Sequence, residues 1–447
     1  MIIKNGKIIT WEEENQILDN AELYIKDGVI EDIGSDLDDK YPDQEVFDAE
    51  GQYLMPGNIC AHTHFYGAYA RGMGIPGPAP KDFPEILEKL WWPLDMALDE
   101  DGVRYSALVF AVDAIKNGTT TLFDHHASPN FIDGSLDVIG DVLLEAGLRG
   151  VLCYEVTDRN GPEGAKAGIE ENVRMIKKAA GIDRLGAAFG LHASLTLDDG
   201  TLEACRDALG DQAGFHIHVG EHQADEYDSL NRGGLRVVDR LQKFGILGPK
   251  TIVAHGVHID QKEAALLAET GTWLTHQARS NMNNAVGVAA IEDFLRLGIR
   301  VGIGTDGFYH AMWEEWKTAY FLHKVHRLDP RRMSALEIVQ MGVYHNAALA
   351  NLYLPGPKLG RIEPGAAADL IFVDYHPYTP LHAGNLPWQI IFGFQESMIT
   401  STMVGGKFLM KDRELLTLDE EKIAAEAQAI APEIWERYEG FVGTYSN

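Results

Sequence analysis

The spacing of apolar residues changes twice along the chain. Up to about Leu54, short apolar runs are cut by turn residues, at Lys7 to Trp11, at Ala21 to Ile25 before Lys26-Asp27-Gly28, and at Val29 to Gly34, a pattern that predicts strands and hairpins. From Gly57 to about Pro355 the texture becomes short buried runs alternating with segments of helical period. The runs at 58–61, 119–123, 150–154, 186–191, 214–217, 251–254, 272–275 and 300–304 predict eight strands. Helices are predicted between them, for example over 103–116, 136–146, 165–180, 235–244 and 262–269. Strictly alternating strands and helices give a parallel α/β structure, and eight repeats argue for a closed (β/α)8 TIM-like barrel.

After Pro355 the strand texture returns at Ala368 to Val373 and Ser401 to Lys407. The simplest account is a small composite β-sandwich built from both chain ends (1–56 and 356–415), with the barrel (57–355) inserted into it. The remainder (416–447) reads as a helical tail interrupted by Pro432.

Length and charge narrow the functional classes. At about 150 residues per domain, 447 residues suggest about three units, but a barrel is a known exception to that rule. The 38 basic against 67 acidic residues leave a net charge of −29, which opposes phosphate backbones and anionic lipid. No nucleic-acid or membrane partner is expected. Cys60, Cys153 and Cys205 are far apart and form no Cys-x-x-Cys pair, so neither a disulfide framework nor a thiolate metal knot is expected. That usage fits a reducing cytoplasm. The first residues are broken by Lys4 and Lys7 and lack the apolar stretch of an export signal. The uncharged stretch 375–395 carries Pro377, Pro380 and Pro387, which spoil it as a membrane helix.

In a parallel barrel the reactive groups stand where the strands end. The first predicted strand runs into His62-Thr63-His64, the fourth into His192, the fifth into His216-Ile217-His218 and then Glu221, the sixth into His255, the seventh into His276 and the eighth into Asp306. Residues two apart on a strand share a face, so His62 with His64, and His216 with His218, are same-side pairs. Either pair alone reads as ordinary hydrogen-bonded histidine. Together, on one rim and with a carboxylate closing the ring, they read as a metal site. Imidazole with one carboxylate suits a borderline divalent ion, zinc first, with iron or nickel as alternatives. Such an ion lowers the pKa of a bound water toward neutrality, which is the start of hydrolysis. Asp306 can take the water's proton, and Glu221 can deliver one to the leaving side of the substrate.

The stretches Pro56 to His64, His218 to Glu221, Ala254 to His258 and Gly304 to Gly307 resemble the amidohydrolase superfamily, in its chlorohydrolase and cytosine/guanine deaminase-like branch. Leu90 to Asp95, Asp124 to Asn130, Arg279 to Gly287 and Asn385 to Trp388 are similar, more narrowly, to the aminohydrolases called SsnA. The resemblance implies one divalent metal per subunit, with His62, His64, His218 and Asp306 as ligands. It also implies Glu221 as proton shuttle and His255 as the group that orients the reacting atoms. His192 falls where two-metal members carry a modified lysine, and no lysine occurs from Arg184 to Thr196, so a second metal is not expected. Glu155 is the one nearby carboxylate that could support one, and it reads instead as a supporting group. Where many relatives have His-Asn-Pro, this chain has His276-Gln277-Ala278, followed by Arg279, and His222 stands where a small hydroxyl residue is common.

Candidate substrate contacts are His192, His255, Trp92, His125, Arg279 and Asn281. The long loop after the first strand, rich in glycine, proline and aromatics, is expected to cover the site. The expected activity is release of ammonia from a small amino-substituted nitrogen heterocycle of purine, pterin, pyrimidine or triazine type. The alternatives are hydrolytic opening of a cyclic amide and a catalytically silent metal-binding protein. The partner is a small molecule, and the family implies a homodimer or higher homo-oligomer.

Overall fold

The computed structural model describes residues 1–210 and 212–445. The barrel strands are Asn58–Thr63, Thr119–His126, Arg149–Tyr154, a fourth in two pieces at Leu185–Ala187 and Phe189–Ala193, Phe215–Val219, Ile252–His255, Trp273–His276 and Val301–Ile303. All neighbouring pairs are parallel. The strand runs are buried on both faces, which is why they read as continuous apolar stretches rather than alternating ones.

The barrel closes at two weak seams, and an asparagine side chain bridges each. At the fourth strand, Gly190 lies so close to the third that a Cβ would stand 2.3 Å from the Tyr154 carbonyl oxygen. There the Asn172 amide oxygen accepts from the backbone N–H of Tyr154 and Gly190 at 2.9 and 3.0 Å, and its nitrogen donates to the Tyr154 carbonyl at 2.8 Å. Asn172 replaces the missing ladder bonds. Between the eighth strand and the first, Asn346 accepts from Ile303 N–H at 2.9 Å and donates to the Ile59 carbonyl at 2.6 Å. Both asparagines are fully buried, so each hydrogen bond forms in a low-dielectric interior.

Helices at Glu100–Lys116, Ser135–Ala146, Gly161–Ala179, Asp199–Leu209, Val237–Lys243 and Gln261–Thr270 follow the first six strands. Local chemistry starts them. Asp99 accepts from Gly102 N–H, and Asp260 forms a reciprocal capping box with Glu263.

A seven-stranded sheet takes strands from both chain ends, with Leu370–Val373 antiparallel to Tyr53–Pro56 and to Ile399–Val404. A second, four-stranded sheet comes from the first fifty residues, and Ile3, Leu23, Ile25, Leu54, Phe372 and Met403 pack between the two. Arg149, which begins the third barrel strand, pairs in two-pronged fashion with Asp369 at 2.6 and 3.0 Å. This β layer therefore attaches at the N-terminal end of the barrel, opposite the rim where the histidines lie.

The C-terminal segment departs from expectation. It forms one unbroken helix, Glu420–Phe441, running through Pro432. Pro432 and Gln428 are both exposed, so the carbonyl that proline leaves without a donor faces water. Ile423, Ala427, Ile434 and Tyr438 bury the opposite stripe and hold the helix across the gap. Among the described residues no helix is long and apolar enough to cross a membrane.

Candidate active site

His62, His64 and His218 stand at two strand ends on one rim, and each aims its Nε2 at a common centre. The His64 Nδ1 donates to the His125 carbonyl at 2.6 Å, and the His218 Nδ1 donates to the His192 carbonyl at 2.8 Å. Carbonyls only accept, so both rings carry their hydrogen on Nδ1 and expose a lone pair on Nε2. Those two lone pairs face each other at 3.1 Å. The Nε2 of His62 is buried and has no hydrogen-bond partner. Burial holds His62 and His218 well below the ordinary imidazole value, so both stay neutral, as a metal ligand must.

Asp306 and His255 reach the same centre through unusual backbone. Both take left-handed φ values, 57° and 73°, just where their strands end. Such conformations cost about 1–3 kcal/mol outside glycine and gather at functional sites. Asp306 is held in place by its own N–H, which donates to the His62 carbonyl, and by its carbonyl, which accepts from the Thr63 hydroxyl at 2.9 Å. Its Oδ1 lies 3.3 Å from the His64 Nε2. Donor atoms of His62, His64 and Asp306 fall within 4.8 Å of one another, as do those of His62, His218 and His255. Two bare imidazole nitrogens, the unpartnered His62 Nε2 and one carboxylate, crowded together, fit a divalent cation.

Glu221 follows the fifth strand. Its Oε2 and the Asp306 Oδ2 each lie 3.5 Å from the His255 Nε2. Burial, with the Asp306 charge adding to it, pushes the Glu221 carboxyl well above the usual carboxylate range. The Asn284 side chain donates to its Oε1 at 3.4 Å.

Above these groups opens a cavity of about 510 Å³. The loop after the first strand walls it with Tyr66, Phe83, Leu87, Trp91 and Trp92. The wall is held from behind by the C-terminal helix: Tyr438 donates to the Lys89 carbonyl at 2.7 Å and Trp435 to the Tyr69 carbonyl at 3.0 Å.

The amidohydrolase family profile matches residues 53–409, most of the chain. The chain belongs to the amidohydrolase family. It is 32% identical over 448 residues, with 98% of each chain covered, to the 5'-deoxyadenosine deaminase of Methanobrevibacter smithii. It is 30% identical over 441 residues, covering 96% of this chain and 98% of the other, to the 5-methylthioadenosine/S-adenosylhomocysteine deaminase of Syntrophomonas wolfei. In fold it is similar to the zinc-bound adenosine deaminase of Xanthomonas campestris, with a TM-score of 0.85 at 22% identity and coverage of 97% and 98%. The expected barrel architecture and the amidohydrolase family, though not the narrower SsnA resemblance, are thereby borne out, and this amidohydrolase is a hydrolase acting on carbon–nitrogen bonds.

The remaining residues singled out from the sequence take different places in the amidohydrolase. Trp92 and His192 line the cavity. His125 lies beneath it, with Nδ1 2.8 Å from Glu155 Oε1 and Nε2 2.9 Å from the His216 carbonyl. Burial alone would depress His125, and the Glu155 carboxylate outweighs it. Asn281 stands behind His255, with Oδ1 2.9 Å from its Nδ1. Arg279 turns away: its Nε pairs with Glu315 at 2.5 Å and its Nη2 donates to the Tyr309 carbonyl at 2.9 Å. The buried Glu315 captures the guanidinium that the sequence offered to a substrate. His276 meets His323 at 3.2 Å, away from the cavity. Tyr66 and Trp91, on the loop expected to cover the site, turn inward with Trp92, and Asn284 and Asp95, which the sequence singled out for no role, line the same cavity.

Proposed function

We propose that this amidohydrolase is a metal-dependent aminohydrolase that replaces the amino group of a small nitrogen heterocycle by oxygen and releases ammonia. The observation that carries the proposal is the convergence of Glu221 and Asp306 on His255, beside the crowded Nε2 atoms of His62, His64 and His218 at the floor of an aromatic cavity. The deaminase relatives, named for adenosine derivatives, support the same class of substrate. His62, His64, His218 and Asp306 would hold the ion, zinc being the first candidate, and a divalent ion there acidifies water toward neutral pH.

The chain's own groups then manage the protons. Asp306 accepts one from the attacking water as its oxygen bonds to the ring carbon. Glu221, in its protonated form, donates one to the adjacent ring nitrogen, which lets the carbon accept the new bond. His255, backed by Asn281, sits between the two carboxylates and fixes the oxygen's position. When the carbon–nitrogen bond breaks, the added oxygen gives its remaining proton to Glu221 and the departing amine takes the proton held by Asp306, leaving as ammonia and returning both carboxyls to their starting states. Trp91, Trp92 and Tyr66 offer flat faces to the ring and keep bulk water out. Buried, unpaired Cys60, Cys153 and Cys205 fit an enzyme of the reducing cytoplasm.

Metal analysis of the purified protein, joined to an ammonia-release screen over amino-substituted heterocycles, tests the proposal. Ammonia should appear with the ring intact. Glu221→Gln should retain its metal and lose about 10²–10⁴-fold in turnover. Ring opening without ammonia, or full activity in Glu221→Gln, overturns the proposal.

A further inference from the structure

Glu155 has no role in the chemistry described above, yet it is buried and lines the cavity beside the histidines. One of its oxygens is committed: Oε1 lies 2.8 Å from the His125 Nδ1. The other nitrogen of that ring donates to a carbonyl at 2.9 Å, so a hydrogen must lie between Nδ1 and Oε1, whichever atom formally owns it. In either case Oε2 is a bare acceptor. Among the described residues nothing donates to it.

The His192 Nε2 lies 3.9 Å from Oε2. His192 has its Nδ1 2.7 Å from the Thr196 hydroxyl, and that hydroxyl donates its single hydrogen to the Ala193 carbonyl at 3.1 Å. With the hydroxyl hydrogen on the Ala193 carbonyl, the His192 Nδ1 is the donor and Nε2 faces the cavity as a lone pair. Two acceptors stand side by side on the wall, with no protein donor to satisfy either. Buried polar groups seek partners, and a partner for this pair must bring hydrogens.

We propose that Glu155 Oε2 and His192 Nε2 together read one edge of the substrate ring, and that the substrate carries a further N–H donor there besides the amine it loses. A 2-amino-purine or a pterin has such an edge. The inference rests on the aminohydrolase assignment above and narrows it. An adenine ring substituted at N9 presents only acceptor nitrogens once its amine faces Glu221 and Asp306, and would leave the Glu155 oxygen without a ring donor. A site built to bond a donor rejects the analogue that lacks it far more strongly than an apolar gap would.

The test measures binding by calorimetry in a metal-loaded, full-length Glu221→Gln background, so that neither ligand turns over. Adenosine and the diaminopurine riboside that differs from it by one added amino group are the probes. The diaminopurine compound should bind about tenfold tighter or more. Adding Glu155→Gln should bring the two within about twofold, at unchanged metal content, because an amide can turn a donor toward the ligand. Thr196→Val, which removes the acceptor for His192 Nδ1 and leaves the carboxylate in place, should erode the same preference in part. The inference is overturned by any of three results: no preference before Glu155 is changed, an equal loss for both ligands in Glu155→Gln, or loss of a metal equivalent, which would make Glu155 a cation ligand. Ammonia release is scored separately with Glu221 intact. Its failure removes the aminohydrolase assignment and leaves the binding comparison readable.

Discussion

His64 and His218 face each other through their Nε2 atoms at 3.1 Å, while both Nδ1 hydrogens are bound to backbone carbonyls. Two lone pairs at that distance repel unless a cation lies between them. Chelation should therefore destabilise the protein. With free metal at a hundredfold excess over its dissociation constant, the bound ion contributes about 2.7 kcal/mol. Thermal denaturation before and after metal removal measures this. His218→Ala should bind less metal and show little further loss on chelation, and an unchanged response to chelation would argue against the site.

Arg279 and Glu315 form a buried pair at 2.5 Å, with the arginine also held at the Tyr309 carbonyl. Removing one member strands the other charge in the interior. Arg279→Ala should cost about 3–5 kcal/mol in urea unfolding. The prediction is a stability defect at unchanged metal content. A folded variant of full stability with a raised KM would instead restore Arg279 as a substrate contact.

Asp225 gives a pH signature. It accepts from Gly220 and Leu195 N–H, both at 2.9 Å, and so shapes the turn that carries Glu221. Burial raises its carboxyl from 3.8 to about 7. A value raised in the folded state means that the fold binds the proton more tightly than the unfolded chain. The stability contributed by that proton is complete below about pH 3.8 and is lost as pH rises through about 7. The loss runs at up to about 1.4 kcal/mol per pH unit over that window. Urea titrations of wild type and Asp225→Asn across it should show their stability difference drift toward the variant as pH rises. A constant difference would mean that Asp225 does not titrate there.

The C-terminal helix supports the cavity from outside. Arg437 Nε donates to the Ala97 carbonyl at 2.7 Å, alongside the Tyr438 and Trp435 bonds to Lys89 and Tyr69. Truncation before Glu420 should leave the metal ligands intact and loosen the wall that bears Trp91 and Trp92. The expected result is normal metal content with KM raised about tenfold or more, as for the loss of one or two well-placed contacts. Loss of metal on truncation would show that the helix supports the whole barrel rather than the wall.

Much of the architecture was legible in the sequence because a parallel barrel repeats a simple rule. Each buried strand needs an apolar run and each crossover a helical period, and both are local. The ends of those runs then place His62, His64, His218, His255 and Asp306 on one rim without further information. The two seams were not legible. Asn172 and Asn346 look like ordinary polar residues on helices until the strands they bridge come together from 18 and 43 residues away. Nor could local pattern show that a helix would pass through Pro432, since the contacts that hold it there are on Tyr69, Lys89 and Ala97.

The sequence by itself determined the eight strand–helix repeats, the ring of metal-capable side chains at their ends and the two carboxylates beside them, because backbone period and residue chemistry are local properties. Only the tertiary structure decided which lone pairs meet without a donor, that Arg279 belongs to Glu315 and not to a ligand, and that Glu155 and His192 share one wall. Those facts depend on distances of a few ångströms between residues far apart in the chain, and hydrogen-bond partners are chosen by such distances rather than by spacing along the sequence.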